Sequence, residues 1–204
     1  MVVSKIEELT KTRYKVFIDG EFAFVLYKGE LSRYHLKEEA PITEEVNEAL
    51  YKLVVKRGKL RALHLLNDMG RTEYQLRDKL DKGGYPKGIV EEVLAYVKSF
   101  GYIDDRNYAR NFILAKKASK SKKQIQALLL QKGVSSEIIS EIFLECYGEE
   151  DVYDAIEKAL LRRRFDSDAE DEKYLQKHLM YLARKGFAYG DIKHVLLDRF
   201  HKSV

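Results

Sequence analysis

One spacing recurs three times in this chain and constrains its fold more than any other feature. A leucine is followed four residues later by a glycine, and six residues beyond the glycine comes a β-branched residue. The three copies are Leu80, Gly84 and Val90; Leu129, Gly133 and Ile139; and Leu182, Gly186 and Ile192. An apolar pair follows each copy at the same offset. A period of about fifty residues predicts one helical unit used three times, which is typical of repeat proteins that work through their surface.

The first forty residues follow a different pattern. Apolar and aromatic residues are frequent from Tyr14 to Ile18 and from Phe22 to Leu26. Asp19-Gly20 between these runs is a strong signal for a β-hairpin. Residues 6–9 could add a third short strand. Because apolar side chains lie on both faces of this hairpin, we expect it to pack against another part of the protein.

Helical periodicity begins after Pro41 and continues almost to the C-terminus. We therefore predict a mainly α-helical fold, with three tandem three-helix repeats in an elongated curved array after a small N-terminal β-hairpin element. A linking helix is expected to precede Gly58, and the first repeat to follow it. The predicted parts are the hairpin element (1–40), the linking helix with repeat 1 (41–103), repeat 2 (104–148) and repeat 3 (149–204).

Composition excludes several classes of function. Apolar residues make up 45% of the chain, which fits a folded protein, and no apolar run reaches the length of a membrane span. The N-terminus lacks the apolar stretch of a signal peptide, so we expect a cytoplasmic protein without membrane contact. Cys146 is the single cysteine, and the five histidines show no metal-ligand spacing. We find no nucleophile or phosphate-loop motif, and we predict no catalytic residue, no cofactor and no metal.

Positive charge is concentrated in the middle of the chain. No acidic residue occurs from Arg106 to Ser136. This segregation predicts a surface that meets a polyanion or an acidic protein face. We assign this contact to Arg110, Lys116, Lys117, Lys120, Lys122 and Lys123.

A second basic cluster consists of Arg162, Arg163 and Arg164. Five acidic residues follow between positions 166 and 172 and could neutralise it locally. The sequence leaves both interpretations open for these arginines, which we keep as candidate contacts.

Asp104 and Asp105 form the obvious carboxylate pair of the chain. Adjacent residues on a helix do not share a face, so they make a poor acid–base dyad. Asp104 as a helix N-cap, with Asp105 in the first turn, explains both residues without catalysis.

Four segments together resemble the RecX family, the bacterial regulators of the RecA recombinase. Residues 100–105 followed by Tyr108-Ala109 resemble the family's G-Y-[LI]-D-D-x-x-[FY]-A signature, in which Gly101, Tyr102, Asp104 and Asp105 occupy the motif positions. Residues 76–84 resemble its L-x-x-K-L-x-x-[KR]-G segment, and residues 131–134 and 184–187 resemble the equivalent turns of the later repeats. Ser121 and Leu128 depart from the glycine and glutamate that are frequent in the family.

The resemblance implies a nonenzymatic modulator, expected to be an inhibitor. It implies a monomer that binds the RecA–DNA nucleoprotein filament, contacts DNA through the filament, and regulates recombination, DNA repair and the SOS response. Two alternatives stay open. The chain could bind DNA directly through helix-turn-helix-like repeats, or it could act as a scaffold for other protein partners.

Overall fold

A computed structural model describes residues 1–166 and 171–196. The chain divides into two compact units, residues 1–104 and residues 105–204. Unit 1 begins with the strands β1 (Val3–Thr10), β2 (Arg13–Ile18) and β3 (Glu21–Tyr27). Its helices are α1 (Lys28–Arg33), α2 (Glu44–Asp68), α3 (Glu73–Lys82) and α4 (Lys87–Ser99).

The three strands form an antiparallel sheet in the order β1-β2-β3. Asp19 and Gly20 connect β2 to β3 with φ angles of 50° and 86°, the left-handed conformations that favour a tight hairpin turn. The sheet shares its apolar core with α2, α3 and α4; Val16 and Leu26, for example, are fully buried in it. The hairpin prediction is therefore confirmed, and β1 is longer than the short third strand that the sequence indicated.

The linking helix and the first helix of repeat 1, which the sequence placed before and after Gly58, form a single helix. Helix α2 runs without interruption from Glu44 to Asp68, and Gly58 lies buried in its middle. A Cβ atom at this position would come within 2.9 Å of Val93 Cγ2 and 3.3 Å of Tyr85 Cε1. The glycine therefore lets α2 and α4 approach closely, and the packing of α2 compensates for the low helix propensity of glycine.

Unit 2 contains the second and third repeats. Repeat 2 comprises α5 (Asp105–Lys116), α6 (Lys122–Gln131) and α7 (Ser136–Cys146). Repeat 3 comprises α8 (Glu149–Leu161), α9 (Glu172–Arg184) and α10 (Tyr189–His194). Each repeat has its own apolar cluster, one around Ile113 and Leu129 and the other around Ile156 and Leu182. The mainly helical fold, with three successive three-helix units after a small sheet, is confirmed.

The structure gives the physical reason for the recurring leucine–glycine spacing. Gly84, Gly133 and Gly186 have φ angles of 84°, 82° and 85° directly after α3, α6 and α9. In each copy, the residue after the glycine donates its N–H to the leucine carbonyl: Tyr85 to Leu80 (3.3 Å), Val134 to Leu129 (3.1 Å) and Phe187 to Leu182 (3.3 Å). This is the Schellman ending of a helix, and its hydrogen bond fixes the number of residues between leucine and glycine.

Candidate functional site

The lysine-rich part of the acid-free segment lies at the junction between α5 and α6. Helix α5 ends at Lys116, whose carbonyl accepts the backbone N–H groups of Ser119 (2.9 Å) and Lys120 (3.0 Å). Ser121 then caps α6: its Oγ accepts the Gln124 N–H at 3.2 Å, and the Gln124 side chain accepts the Ser121 N–H at 3.4 Å. This capping box begins α6 at Lys122. We call residues 116–123 the lysine junction.

Two of the six predicted contacts are engaged by carboxylates inside unit 2. Lys117 Nζ lies 2.8 Å from Asp151 Oδ1 and 3.3 Å from the Cys146 carbonyl oxygen. Arg110, on α5, forms an ion pair with Glu145 on α7. These contacts connect neighbouring helices, so the two cations already have partners within the fold.

The pKa values of both carboxyl groups follow from these contacts. The hydrogen bond from Arg110 lowers the pKa of Glu145. For Asp151, burial raises the pKa, but hydrogen bonds from Lys117 and the Gly148 N–H outweigh it, and the net pKa is lowered. Both groups are therefore ionised at neutral pH, which keeps the ion pairs intact.

The other four lysines have no such partner. Among the residues that the structure describes, Lys116, Lys120, Lys122 and Lys123 have no carboxylate within 4 Å. Lys122 places its ammonium group 5.1 Å from the centre of the Phe143 ring, which leaves its charge unneutralised. The lysine junction therefore carries four positive charges that are available to a ligand.

Repeat 3 packs directly against the start of α6. The Ser121 hydroxyl donates to the Lys185 carbonyl at 2.6 Å, and Ser121 is 1% exposed. A Cβ atom at Gly186 would lie 3.1 Å from both Ser121 Oγ and Lys123 Cβ. The Schellman turn of repeat 3 thus fits against the capped end of α6 because glycine has no side chain there. A shallow cavity of about 460 Å³ borders this contact and includes Lys122, Lys123 and Asp191.

The packing extends the positive surface into repeat 3. Lys185 Nζ lies 4.9 Å from the centre of the Tyr181 ring, and the Arg163 guanidinium lies 4.3 Å from the same ring. Neither cation has a carboxylate partner within the described part of the chain. The structure thus brings Arg163 together with Lys185, a residue that the sequence analysis missed. The signal available in the sequence was its position beside the repeated glycine, one residue before Gly186.

The remaining arginines of the second cluster follow α8. Arg162 is the C-cap residue of α8, and Arg164 has a φ of 53°; both are exposed. Asp168 and Glu170, from the acidic stretch that could neutralise this cluster, lie outside the described residues.

The carboxylate pair and the signature residues lie where the two units join along the sequence. Gly101 has a φ of 69°, Tyr102 is exposed, and Asp104 directly precedes α5, whose first residue is Asp105. This is the position of an N-cap, and the capping role of Asp104 stays a prediction. Within residues 1–166 and 171–196, no three histidine, cysteine or carboxylate residues cluster as metal ligands. None of the described helices has both the length and the apolar character needed to cross a membrane.

Comparison with known proteins identifies the repeats. Models of the first, second and third three-helix domains of RecX match residues 59–96, 104–142 and 149–196, in the same order along the chain. The chain belongs to the RecX family. The RecX models coincide with the three repeats of the structure and leave out the N-terminal sheet.

Full-length relatives and solved structures agree with this assignment. The regulatory protein RecX of Caldanaerobacter subterraneus is 30% identical over 199 residues, covering 96% of this chain and 98% of the relative. The regulatory protein RecX of Clostridium beijerinckii is 29% identical, and the match covers 92% of this chain and 89% of the relative. A crystal structure of a regulatory protein RecX has a TM-score of 0.66 and 25% identity, with 95% and 98% covered. The crystal structure of RecX from Lactobacillus salivarius shares the fold, with a TM-score of 0.59 and 24% identity. The match covers 70% of this chain and 94% of that structure. These relatives are named regulatory proteins, and family membership places this chain among them.

Proposed function

We propose that this chain is a nonenzymatic regulator of the RecA recombinase that binds the RecA–DNA filament and inhibits it. In this proposal the protein acts as a monomer in the cytoplasm and contacts DNA through the filament. Restraining RecA in this way regulates recombination, DNA repair and the SOS response. Family membership supports RecA as the target, because the relatives carry the name of RecX regulators.

The observation that carries the proposal is the set of unpaired lysines at the lysine junction. Lys120, Lys122 and Lys123 have no carboxylate partner among the described residues, whereas Lys117 and Arg110 have one. A filament of protein and DNA presents phosphates and acidic side chains, which such a surface attracts over a distance set by the ionic strength. We therefore place the principal contact on this junction and its extension through Lys185 and Arg163.

The ATPase activity of RecA on single-stranded DNA tests the proposal. We expect the wild-type chain to lower the steady-state rate in proportion to its concentration. The triple variant Lys120→Glu, Lys122→Glu and Lys123→Glu should inhibit much less, because reversed charges repel the filament. The matched control reverses Glu7 and Glu8, which are exposed on β1 in unit 1. An ATPase rate unaffected by excess wild-type protein would reject the proposed function.

Direct binding to DNA is the second candidate, and the same lysine junction favours it. Unpaired lysines beside the start of a helix can contact phosphates without any RecA. The affinity of this chain for naked duplex DNA and for the RecA–DNA filament, measured at several salt concentrations, separates the two candidates. Equal affinity for both would favour direct DNA binding, and a preference for the filament would favour the proposed regulator.

A further inference from the structure

Two arginines on α5 are held by a pair of glutamates on α7. Arg106 forms ion pairs with Glu141 and, at 3.5 Å, with Glu145, and Arg110 forms an ion pair with Glu145. Glu145 thus contacts both guanidinium groups. The four charges sum to zero, so this part of α5 presents no net charge to a ligand. We call Glu141 and Glu145 the acidic face of α7.

These ion pairs are not what holds α5 against α7. The two helices share an apolar core, in which Ala109 and Ile113 on α5 and Ile139 and Ile142 on α7 are completely buried. The four charged side chains, in contrast, are between 39% and 52% exposed. Exposed ion pairs contribute little to stability, because water and salt screen them. Stability therefore does not account for the acidic face of α7.

The paired arginines lie in one row with a paired lysine of the lysine junction. Arg106, Arg110 and Lys117 follow each other at intervals of four and seven residues, which places them on one face of a helix. Lys117 directly follows α5 and continues its geometry, since its N–H donates to the Ile113 carbonyl at 2.7 Å. At about 1.5 Å per residue the row is about 16 Å long. We call these three cations the α5 row.

Every cation of the α5 row has a carboxylate partner, whereas its neighbours at the lysine junction have none. Lys117 Nζ lies 2.8 Å from Asp151 Oδ1, and the acidic face of α7 pairs with the two arginines. The row would extend the positive surface of the lysine junction along α5 if its carboxylates were removed. Guanidinium groups bind carboxylates and phosphates with the same bidentate geometry, so a polyanion competes with these glutamates for the same donors.

We propose that the acidic face of α7 is an internal competitor, which keeps the α5 row from binding polyanions. A ligand reaches the unpaired lysines of the junction directly, but it gains the arginines only by displacing Glu141 and Glu145. The affinity of the chain for polyanions in general is thereby kept low, and a partner must offer its contacts to the junction itself. This inference concerns the regulation of the proposed binding surface, and it rests on the proposed function to that extent.

Binding of a fluorescein-labelled heparin fragment to the full-length chain, measured by anisotropy, tests the competitor without RecA or nucleic acid. The double variant Glu141→Gln with Glu145→Gln removes both negative charges and keeps the size of the side chains. Two arginines then become available beside the lysine junction. We expect the affinity for heparin in about 0.1 M salt to rise about tenfold, because each additional contact releases counter-ions. An unchanged affinity would overturn the proposal.

Repeat 1 offers a charge-matched control. Glu73 pairs with Arg77 and Lys98, and Glu91 pairs with Arg77. The double variant Glu73→Gln with Glu91→Gln therefore frees two cations and changes the net charge by the same amount, but these cations do not belong to the α5 row. We expect its affinity for heparin to rise less than about twofold, since isolated exposed charges are largely screened. Equal rises in the two double variants would show that net charge alone matters, and the proposal would be wrong.

Thermal unfolding checks whether the glutamates act only as a tether between α5 and α7. We expect the melting temperature of the α7 variant to stay within about 2 °C of the wild type. A lower melting temperature without tighter heparin binding would assign them a structural role and reject the competitor. Inhibition of the RecA ATPase by the wild-type chain is measured separately. If the wild type inhibits RecA and the α7 variant gains no affinity for heparin, this inference fails and the proposed function stands.

Discussion

Two lysine-rich surfaces of this chain differ in how the fold treats their charges. On α2, Lys52 and Lys59 each face a glutamate, and Lys56 is the one lysine of this helix that has no carboxylate within 4 Å in the described part of the chain. At the lysine junction, four lysines lack carboxylate partners, and Lys117 is the exception. Lysines are frequent on both surfaces, so their number does not distinguish them. Whether the lysines already have carboxylate partners within the fold decides which surface can attract a polyanion.

The two surfaces are also stabilised differently. Ion pairs along and across the helices neutralise two of the three lysines on α2. The lysine junction is instead held by close backbone packing, in which Ser121 and Gly186 bring repeat 3 against the start of α6. We infer that such packing permits a group of like charges to persist without internal counter-ions.

The largest effect on stability is expected for Gly186→Ala. The substitution places a Cβ atom 3.1 Å from Ser121 Oγ and forces alanine into a φ of 85°. We expect a loss of about 3 kcal/mol from strain and contact together, measured as a lower melting temperature. Gly101→Ala is the control: its φ is 69° and no atom of the described residues lies within 4 Å of the added Cβ, so it should cost about 1 kcal/mol. Equal losses would show that repeat 3 does not pack tightly at the junction.

A smaller loss is expected for Ser121→Ala. Alanine removes the cap of α6 and leaves the Lys185 carbonyl without its 2.6 Å hydrogen bond. We expect a loss of about 2 kcal/mol. Ser135→Ala removes hydrogen bonds that stay within α7, where Ser135 Oγ accepts the Ile138 N–H at 3.3 Å and the hydroxyl contacts Glu137, and should cost about 1 kcal/mol. Chemical denaturation of both variants measures the difference, and its absence would assign Ser121 a purely local role.

The sequence was sufficient for features that depend on neighbouring residues. The hairpin turn at Asp19-Gly20 and the three Schellman endings are local, so their residue spacing is visible in the sequence. The uninterrupted α2 could not be predicted from the sequence. A glycine is needed at position 58 because Val93, on α4, packs against it, and this contact is visible only in the fold. For the same reason, the sequence could not separate Lys117 from its neighbours. Its partner Asp151 lies on α8, and only the folded chain brings the two together.

The smallest expected effect comes from Asp151→Asn, which should make the lysine junction more positive. In the wild type, Asp151 Oδ2 accepts the Gly148 N–H at 2.9 Å, and an asparagine oxygen can accept the same hydrogen bond. Asparagine carries no charge, however, so it does not neutralise Lys117. We expect the salt slope of filament binding to steepen by about one. An unchanged slope would show that Lys117 does not face the filament.

The same variant should change the response to acid. Because the folded-state pKa of Asp151 is lowered, its ion pair stabilises the fold above the ordinary carboxyl pKa of about 3.9, and this contribution is lost as the pH falls through the lower folded-state value. Melting temperatures measured from neutral pH to about pH 3 should therefore fall less steeply for Asp151→Asn than for the wild type. Parallel curves would show that the ion pair does not contribute.

The salt dependence of filament binding measures whether the unpaired lysines of the lysine junction carry the contact. Binding is measured at several salt concentrations for the wild type and two triple variants, one with Lys120, Lys122 and Lys123 changed to glutamine, the other with Lys52, Lys56 and Lys59 changed to glutamine. We expect the first variant to reduce the slope by about three, one for each lysine proposed to contact a phosphate, and the second to reduce it by about one at most. Equal reductions, or an unchanged slope for the first variant, would contradict this expectation.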